Sequence, residues 1–134
     1  MDMAKFVATK SKDRSTKVGC VIVGPNKEVR TTGYNGFCRG IDDDVDSRHE
    51  RPAKYFFTEH AERNAIYNAA RNGIPLENCT AYVHALPPCA DCSRAMIQSG
   101  VKRVVYKTLV PSEKWNESYE YSIKMADETN MEID

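Results

Sequence analysis

The chain has 134 residues, of which 41% are apolar and 28% are charged, and this balance favours one folded core over disorder. It carries 19 basic and 19 acidic residues, so no net field would attract nucleic acid or an anionic membrane. No apolar run approaches the roughly 20 residues of a membrane span, and the N-terminus lacks the apolar core of a signal peptide. We therefore expect one cytoplasmic domain over residues 1–134.

The predicted elements alternate between helix and strand. Weak periodicity around Met3, Phe6 and Val7 indicates a short N-terminal helix. A turn at Pro25-Asn26 separates the first two of four predicted strands, which cover residues 18–23, 29–34, 81–83 and 101–106. Because a helix separates the last two strands, their connection is a crossover and part of the sheet should be parallel. The pattern predicts an α/β domain.

The first candidate functional segment is His60-Ala61-Glu62, at the start of a predicted helix. Thr58 is the expected N-cap, and apolar residues recur at helical spacing until Gly73 stops the pattern. His60 and Glu62 would then lie in the first turn. Two residues apart on a helix, their side chains point about 200° apart. Glu62 should therefore not bind the same ion as His60, which leaves it free to move protons.

The second candidate segment is Pro88-Cys89-Ala90-Asp91-Cys92. Pro88 suits the first helical position, so Cys89 and Cys92 would share one face of a helix that ends at Gly100. The positive end of this helix favours thiolates over thiols at both cysteines. A last helix should open at Pro111-Ser112 and carry an apolar stripe of Trp115, Tyr119, Ile123 and Ala126.

The residue types of the two segments together predict a zinc site made by His60, Cys89 and Cys92. A catalytic zinc ion has three protein ligands and keeps its fourth position for water, whose pKa falls toward neutrality. Glu62 would then serve as acid and base. The alternative is a closed structural site with Cys79 or His84 as fourth ligand, which would leave Glu62 unexplained. The cysteines outside the site are expected to be free thiols in a reducing compartment: Cys20, Cys38 and Cys79.

Several motifs of the chain occur in one known family in the same order, between about residues 10 and 107. They are Ser11-Lys12-Asp13, Lys17-Val18-Gly19, Gly33-Tyr34-Asn35-Gly36 with Gly40, residues 60–66 (HAERNAI), residues 87–92 (PPCADC) and Gly100-Val101-Lys102. On these motifs the chain resembles the deoxycytidylate deaminase family, whose H-x-E and P-C-x-x-C elements are typical of zinc-dependent nucleobase deaminases.

The resemblance implies a three-layer α/β/α cytidine deaminase-like fold around a five-stranded mixed sheet. It implies zinc-dependent hydrolysis of dCMP to dUMP and ammonia, which supplies dUMP for dTMP synthesis. It also implies a homohexamer that is activated by dCTP and inhibited by dTTP, with Mg²⁺ accompanying the bound triphosphate. Neither nucleic acid nor a membrane is an expected partner.

The resemblance also assigns roles to individual residues. It makes His60, Cys89 and Cys92 the zinc ligands and Glu62 the proton shuttle. Asn35 would hold the sugar 3′-hydroxyl, and the Ala61 backbone amide would face the pyrimidine 2-oxo group. Effector binding is associated with the segment around Asn35, and the candidate allosteric residues are Tyr34, Asn35, Gly36, Gly40 and Arg71. In this segment Cys38 stands where the family usually carries Pro.

Other interpretations of these residues stay open. Asn35-Gly36 is typical of a hairpin turn, and Arg71 of a dipole partner at a helix C-terminus. The acidic residues 42–46 are interpreted as a solvated loop, with a role near magnesium as the alternative. A second metal site would need residues whose spacing matches no metal motif: Cys20, Cys38, His49 and His84. The phosphate-binding residue is not fixed by the sequence, and the candidates are Arg14, Lys17, Arg39 and Arg103.

Two other functional classes are compatible with the motifs. One is a deaminase of another base, either free cytidine or adenosine in tRNA. The tRNA substrate would require a basic face, which the neutral charge balance disfavours. The other is a zinc-stabilised binding module, which would be expected to unfold when its zinc is chelated.

Overall fold

The computed structural model describes residues 1–108 and 116–134. Its α-helices are α1 (Asp2–Ala8), α2 (Ala53–Phe57), α3 (Ala61–Arg71), α4 (Ala90–Ser99) and α5 (Asn116–Thr129), and a short 3-10 helix covers Asp46–His49. Its strands are β1 (Gly19–Val23), β2 (Val29–Tyr34), β3 (Gly36–Phe37), β4 (Thr58–Glu59), β5 (Thr80–Ala85), β6 (Arg103–Thr108) and β7 (Glu132–Ile133).

Five strands form one mixed sheet in the order β2-β1-β5-β6-β7. Strand β1 is antiparallel to β2 and β5, whereas β5, β6 and β7 run parallel. Strands β5 and β6 are parallel because α4 connects them as a crossover, as the sequence predicted. The five-stranded mixed sheet implied by the resemblance is therefore confirmed. The C-terminal end of β5 leads directly into the segment that carries Cys89.

The sheet is covered by helices on both faces because side chains of successive strand residues point to opposite sides. On β1, Cys20 and Ile22 join the larger core with α3, α4 and Ala126 of α5. Val21 faces the other side, where it packs against α1 through Ala4 and Val7. These contacts produce the three-layer α/β/α arrangement.

Two glycines permit close packing of helices on the strands. A Cβ atom at Gly33 of β2 would collide with the backbone of α3 at Ala61 and Ala65. A Cβ atom at Gly19 of β1 would collide with the backbone of α1. Gly33 belongs to one of the motifs quoted above, and its small size is explained by helix packing rather than by the approach of a nucleotide.

The start of α3 differs from the prediction. Thr58 is not the N-cap, because Thr58 and Glu59 pair with Gly36–Phe37 in a separate two-stranded ladder and keep an extended backbone. His60 is the N-cap, with φ −78° and ψ 153°. It therefore flanks the first turn, while Glu62 lies inside it. The end of the helix follows the prediction, with Gly73 at φ +65° just beyond the C-cap.

Helix α4 also begins later than predicted. Cys89 is its N-cap, so Pro88 lies before the helix and not at its first position. Gly100 ends the helix in the left-handed conformation at φ +92°, as expected from the sequence. The predicted helix start at Pro111-Ser112 and the proposed core residue Trp115 lie outside the described residues. In the described part of the chain, no helix is long and apolar enough to cross a membrane.

Candidate metal centre and active-site cavity

His60 is held at the junction between β4 and α3. The carboxylate of Glu59 accepts hydrogen bonds from the His60 backbone N–H at 3.1 Å and from Arg63 Nε at 2.5 Å. Because β4 is extended and α3 is helical, the backbone turns at His60. Its Nδ1 atom approaches Cys89 Sγ and Cys92 Sγ at 3.4 Å each.

The two cysteines lie at the N-terminus of α4. As the N-cap, Cys89 accepts a hydrogen bond at its Sγ from the backbone N–H of Cys92, at 3.4 Å. This bond satisfies one of the first-turn N–H groups that have no partner within the helix. One turn of helix therefore brings both sulfur atoms to the same side, facing His60.

The separations of these three ligand atoms fit a zinc ion. Zinc bonds of about 2.3 Å to sulfur and about 2.05 Å to nitrogen give a tetrahedral edge of roughly 3.6 Å between N and S. The observed 3.4 Å is close to this value. Among residues 1–108 and 116–134, no fourth His, Cys, Asp or Glu joins this cluster. Cys79 and His84 do not close it, so the donor set matches a catalytic zinc site more closely than a structural one.

Without a metal ion, the pKa values of the two thiols shift in opposite directions. A hydrogen bond from Cys92, with further help from His60, lowers the pKa of Cys89 to about 4. The pKa of Cys92 rises well above its ordinary value because Cys92 donates that hydrogen bond, is buried, and lies near Glu62. The sequence predicted thiolates at both positions. A dication between the sulfurs is what would ionise both.

Glu62 is buried beside the ligands without belonging to their cluster. Its side chain projects from the first turn of α3, and the residue is 4% exposed. Burial raises the pKa of Glu62, partly offset by the neighbouring charge of His60. Glu62, Ala61, His60 and Cys89 all line one cavity of about 490 Å³, large enough for a small-molecule ligand. A carboxyl group, a cluster of candidate metal ligands and a ligand-sized cavity thus lie together at the start of α3.

Asn35 is fixed at the wall of this cavity by backbone groups of the segment before β1. Its Oδ1 accepts from the Val18 N–H at 2.8 Å, and its Nδ2 donates to the Thr16 carbonyl at 2.9 Å. The Ser11 hydroxyl donates to the Asn35 carbonyl at 2.8 Å. Asn35 therefore does not form a hairpin turn. It connects β2 to β3 with its amide held in one orientation at the cavity.

Three basic side chains line the cavity: Lys17, Arg51 and Lys54. Lys54 Nζ forms a largely buried ion pair with Asp13 Oδ1 at 3.0 Å. Burial acts to raise the pKa of Asp13, but hydrogen bonds from the Thr16 and Ser15 N–H groups and from Lys54 outweigh it, and the pKa is lowered. Asp13 thus fastens the segment of residues 13–16 to α2 across the cavity mouth.

Only one of the four phosphate-site candidates, Lys17, lines the cavity. Arg14 pairs with Asp46, Arg39 donates to Asn68 on α3, and Arg103 pairs with Asp134 at the opposite end of β6. Sequence reasoning missed Arg51 and Lys54. Their segment, residues 46–57, has no clear periodicity, and it contacts the β2–β4 region through the rings of Phe57 and Phe37, whose centroids are 5.5 Å apart. Thr58 Oγ1, also at the cavity, is buried without a hydrogen-bond partner.

The candidate allosteric residues extend from the cavity to the surface. Tyr34 is 46% exposed, Gly40 adopts φ +84° in an exposed turn, and Arg71 is exposed at the end of α3. Cys38 is an exposed free thiol. In the described part of the chain, the proposed second metal set does not assemble. Its members belong to no metal-ligand cluster: Cys20, Cys38, His49 and His84. The carboxylates of Asp42, Asp43 and Asp44 do lie close together on the surface.

The fold and the donor set define an α/β protein with a catalytic-type zinc site. The family model described as "Cytidine and deoxycytidylate deaminase zinc-binding region" matches residues 1–108. The chain belongs to this family. The resemblance in the motifs is therefore confirmed, and zinc is the metal that both the family and the three ligands support.

The chain is similar in sequence to several individual deaminases. A probable deoxycytidylate deaminase of Caenorhabditis elegans is 43% identical over 107 residues, which are 78% of this chain and 53% of the worm protein. The chain thus spans about half the length of that relative. An uncharacterized deaminase in the luxG 3′ region of Aliivibrio fischeri is 37% identical over 98% of this chain and 86% of its own length.

A solved structure supports the fold. The dCMP deaminase of cyanophage S-TIM5, crystallised in complex with dCMP and dUMP, aligns with a TM-score of 0.78. The alignment covers 99% of this chain and 90% of the phage chain at 24% sequence identity. The likeness confirms the cytidine deaminase-like architecture.

Proposed function

We propose that the protein is a zinc-dependent deaminase that converts dCMP and water to dUMP and ammonia. The observation that carries the proposal is the meeting of a three-ligand zinc site with the buried carboxyl group of Glu62 at one cavity. The relatives named as deoxycytidylate deaminases support the choice of substrate. The proposed product would supply dUMP for dTMP synthesis. The cysteines outside the proposed zinc site, Cys20, Cys38 and Cys79, are free thiols, which supports a reducing, cytoplasmic location.

In this mechanism, His60, Cys89 and Cys92 would hold zinc, which would supply Lewis acidity and lower the pKa of the water that is to attack C4 of the base. Glu62 would take the first proton of that water and pass it to N3, and would then take the second proton, from the hydroxyl group added at C4, and pass it to the departing amine. The Ala61 N–H, at the N-terminus of α3, has no acceptor within its own helix and is suited to the 2-oxo group. Cleavage of the C4–N bond yields the oxo product and ammonia.

Asn35 is proposed to place the sugar. Its amide already uses Oδ1 for Val18 and one Nδ2 proton for Thr16. A second Nδ2 proton and a second Oδ1 lone pair are left for the 3′-hydroxyl. Because two backbone groups fix the amide plane, the orientation of these groups does not have to be established when the substrate binds.

The phosphate would be bound at the basic rim of the cavity. In the described part of the chain, Lys17 and Arg51 are not in ion pairs, and Arg51 Nε donates to Tyr55 Oη at 2.7 Å. Lys54 is held by Asp13 and contributes charge at a fixed position. We therefore assign Lys17 and Arg51 as the side chains that distinguish the nucleotide from the nucleoside.

We expect Lys17→Met and Arg51→Met each to lower kcat/KM for dCMP by roughly 10-fold or more, because a hydrogen bond to a charged group contributes about 1.5–3 kcal/mol. Turnover of deoxycytidine should change little, since it lacks the phosphate. Ammonia release with both substrates measures the difference. Arg103→Met is the matched control, because Arg103 pairs with Asp134 away from the cavity. An equal loss for both substrates would contradict the assignment.

The same comparison separates the alternative substrates. Comparable turnover of deoxycytidine and dCMP by the unaltered protein would favour a free cytidine deaminase. A tRNA deaminase would need a basic face for the RNA, which the net charge of zero does not favour. A zinc-stabilised binding module would unfold on chelation, whereas the core of this chain extends well beyond the zinc ligands.

Regulation and assembly complete the proposal. The segment from Tyr34 to Gly40 connects the cavity at Asn35 to the surface, so a triphosphate bound there could change the position of Asn35. Mg²⁺ would accompany the triphosphate as charge compensation. Tyr34 and Tyr67 leave apolar surface exposed, which supports self-association, and we propose a homohexamer of the 15.1 kDa chain.

We expect dCTP to raise and dTTP to lower the rate at subsaturating dCMP. An effector acts only through its different affinities for two states, so dCMP should weaken dTTP binding by the same factor by which dTTP weakens dCMP binding. Rates across dCMP concentrations, together with the mass by light scattering, test both points. Cys38→Pro should alter inhibition by dTTP, because proline restricts the backbone of the segment. A hyperbolic rate curve indifferent to both triphosphates would contradict the regulation.

A further inference from the structure

Two serine hydroxyl groups of α5 contact the backbone on either side of the zinc ligand Cys89. Ser118 Oγ accepts a hydrogen bond from the Ala90 N–H at 2.7 Å. Ser122 Oγ donates to the Pro88 carbonyl at 3.0 Å, and it also lies 3.2 Å from the Ser118 carbonyl. The two serines are four residues apart, so they occupy neighbouring turns on one face of α5.

These bonds fix the two peptide planes that flank Cys89. The Pro88 carbonyl belongs to the plane before the Cys89 Cα atom, and the Ala90 N–H belongs to the plane after it. With both planes held, the backbone of Cys89 is restrained at its observed φ of −76° and ψ of 170°. The direction of the Cα–Cβ bond, from which Sγ extends through one further torsion, follows from the orientation of these two planes.

The two contacts differ from ordinary packing of α5 on α4. Ser122 is fully buried, and its hydroxyl group donates to the carbonyl of Pro88, the residue before the zinc ligand Cys89. The Ala90 N–H is in the first turn of α4, where it has no acceptor within the helix, and Ser118 supplies one. Both serines also lie beyond residue 108, where the match to the family model ends.

We propose that Ser118 and Ser122 are positioning residues for the metal, which hold Cys89 in its ligating orientation and slow the release of zinc. The inference rests on the zinc ligands of the proposed function, but it does not depend on the substrate. Partners of this kind orient ligands, and their removal typically weakens metal binding or activity by about 10- to 100-fold.

The test is the rate at which a chromogenic chelator removes zinc from the zinc-loaded full chain. We expect Ser118→Ala and Ser122→Ala each to accelerate release by about 10-fold. Ser118→Thr keeps a hydroxyl group and should restore a slow rate. Thr129→Ala is the matched control, because Thr129 lies on the same helix and, among the described residues, its hydroxyl group is hydrogen-bonded to backbone carbonyls of α5 alone.

Two further measurements separate positioning from general stability. The ligand-field spectrum of the Co²⁺-loaded protein should change in the alanine variants. The variants that release zinc fastest should not be those whose zinc-free forms have the lowest unfolding temperatures. Unchanged release in both alanine variants, or equal acceleration in Thr129→Ala, would overturn the proposal. If Ser122→Ala does not fold, the comparison of zinc release between Ser118→Ala and Ser118→Thr tests the proposal by itself. Full zinc occupancy in purified Cys89→Ser would instead show that the ligand assignment is wrong.

Discussion

Replacing Glu62 with Gln is expected to leave the fold and the zinc in place while lowering dCMP turnover by at least about 10³-fold. Glutamine has the same shape as glutamate, but it cannot accept and return a proton. General acid and base catalysis contributes roughly 10²- to 10⁴-fold, and Glu62 acts in more than one step of the proposed reaction. Its burial beside the metal ligands leaves little room for bulk water to replace it.

The control for this variant is Glu120→Gln, a change of the same type at an exposed position of α5. Zinc content by metal analysis and unfolding temperature should match the unaltered protein in both variants. A Glu62→Gln protein that binds one zinc per chain and keeps a tenth of the activity would rule out Glu62 as the proton shuttle.

The second large effect concerns the metal itself. His60→Ala, Cys89→Ser and Cys92→Ser should each purify with well under one zinc per chain and with little activity, because each removes one of three ligands. Metal analysis after exhaustive dialysis measures this directly. Cys38→Ser should retain zinc, since Cys38 is an exposed thiol outside the cluster.

The outcome of these ligand variants also bears on the class of protein. We expect the zinc-depleted proteins to keep their secondary structure, because the core is built mainly from β1, β5, β6 and the helices that cover them. Full zinc occupancy in all three variants would mean that the ligands are assigned wrongly. Loss of the fold together with the metal would favour a binding module stabilised by zinc.

The sequence predicted the metal cluster well because its chemistry is local to two helix starts. Spacing within each segment predicted the helix positions of His60 and the two cysteines, and the resemblance to the deaminase family implied that the two segments meet. Strand β2 was likewise predicted with its observed bounds, Val29–Tyr34. Local patterns of this kind depend little on the remainder of the chain.

The errors arose where tertiary contacts decide local structure. Thr58 has the chemistry of an N-cap, but pairing with Phe37 keeps it in a strand. Sequence reasoning could not find the pairing of Asp13 with Lys54, which are 41 residues apart, because no pattern connects them.

Zinc and Glu62 are proposed to act together on the base of dCMP. The most direct test of this proposal is incubation of the zinc-loaded protein with dCMP, dCTP, CMP or deoxycytidine, followed by quantification of ammonia and of the deaminated product. We expect equal amounts of dUMP and ammonia from dCMP, much slower reaction of deoxycytidine, and loss of the dCMP reaction in Glu62→Gln. Absence of dUMP from dCMP with one zinc bound per chain, or an equal rate in Glu62→Gln, would contradict it.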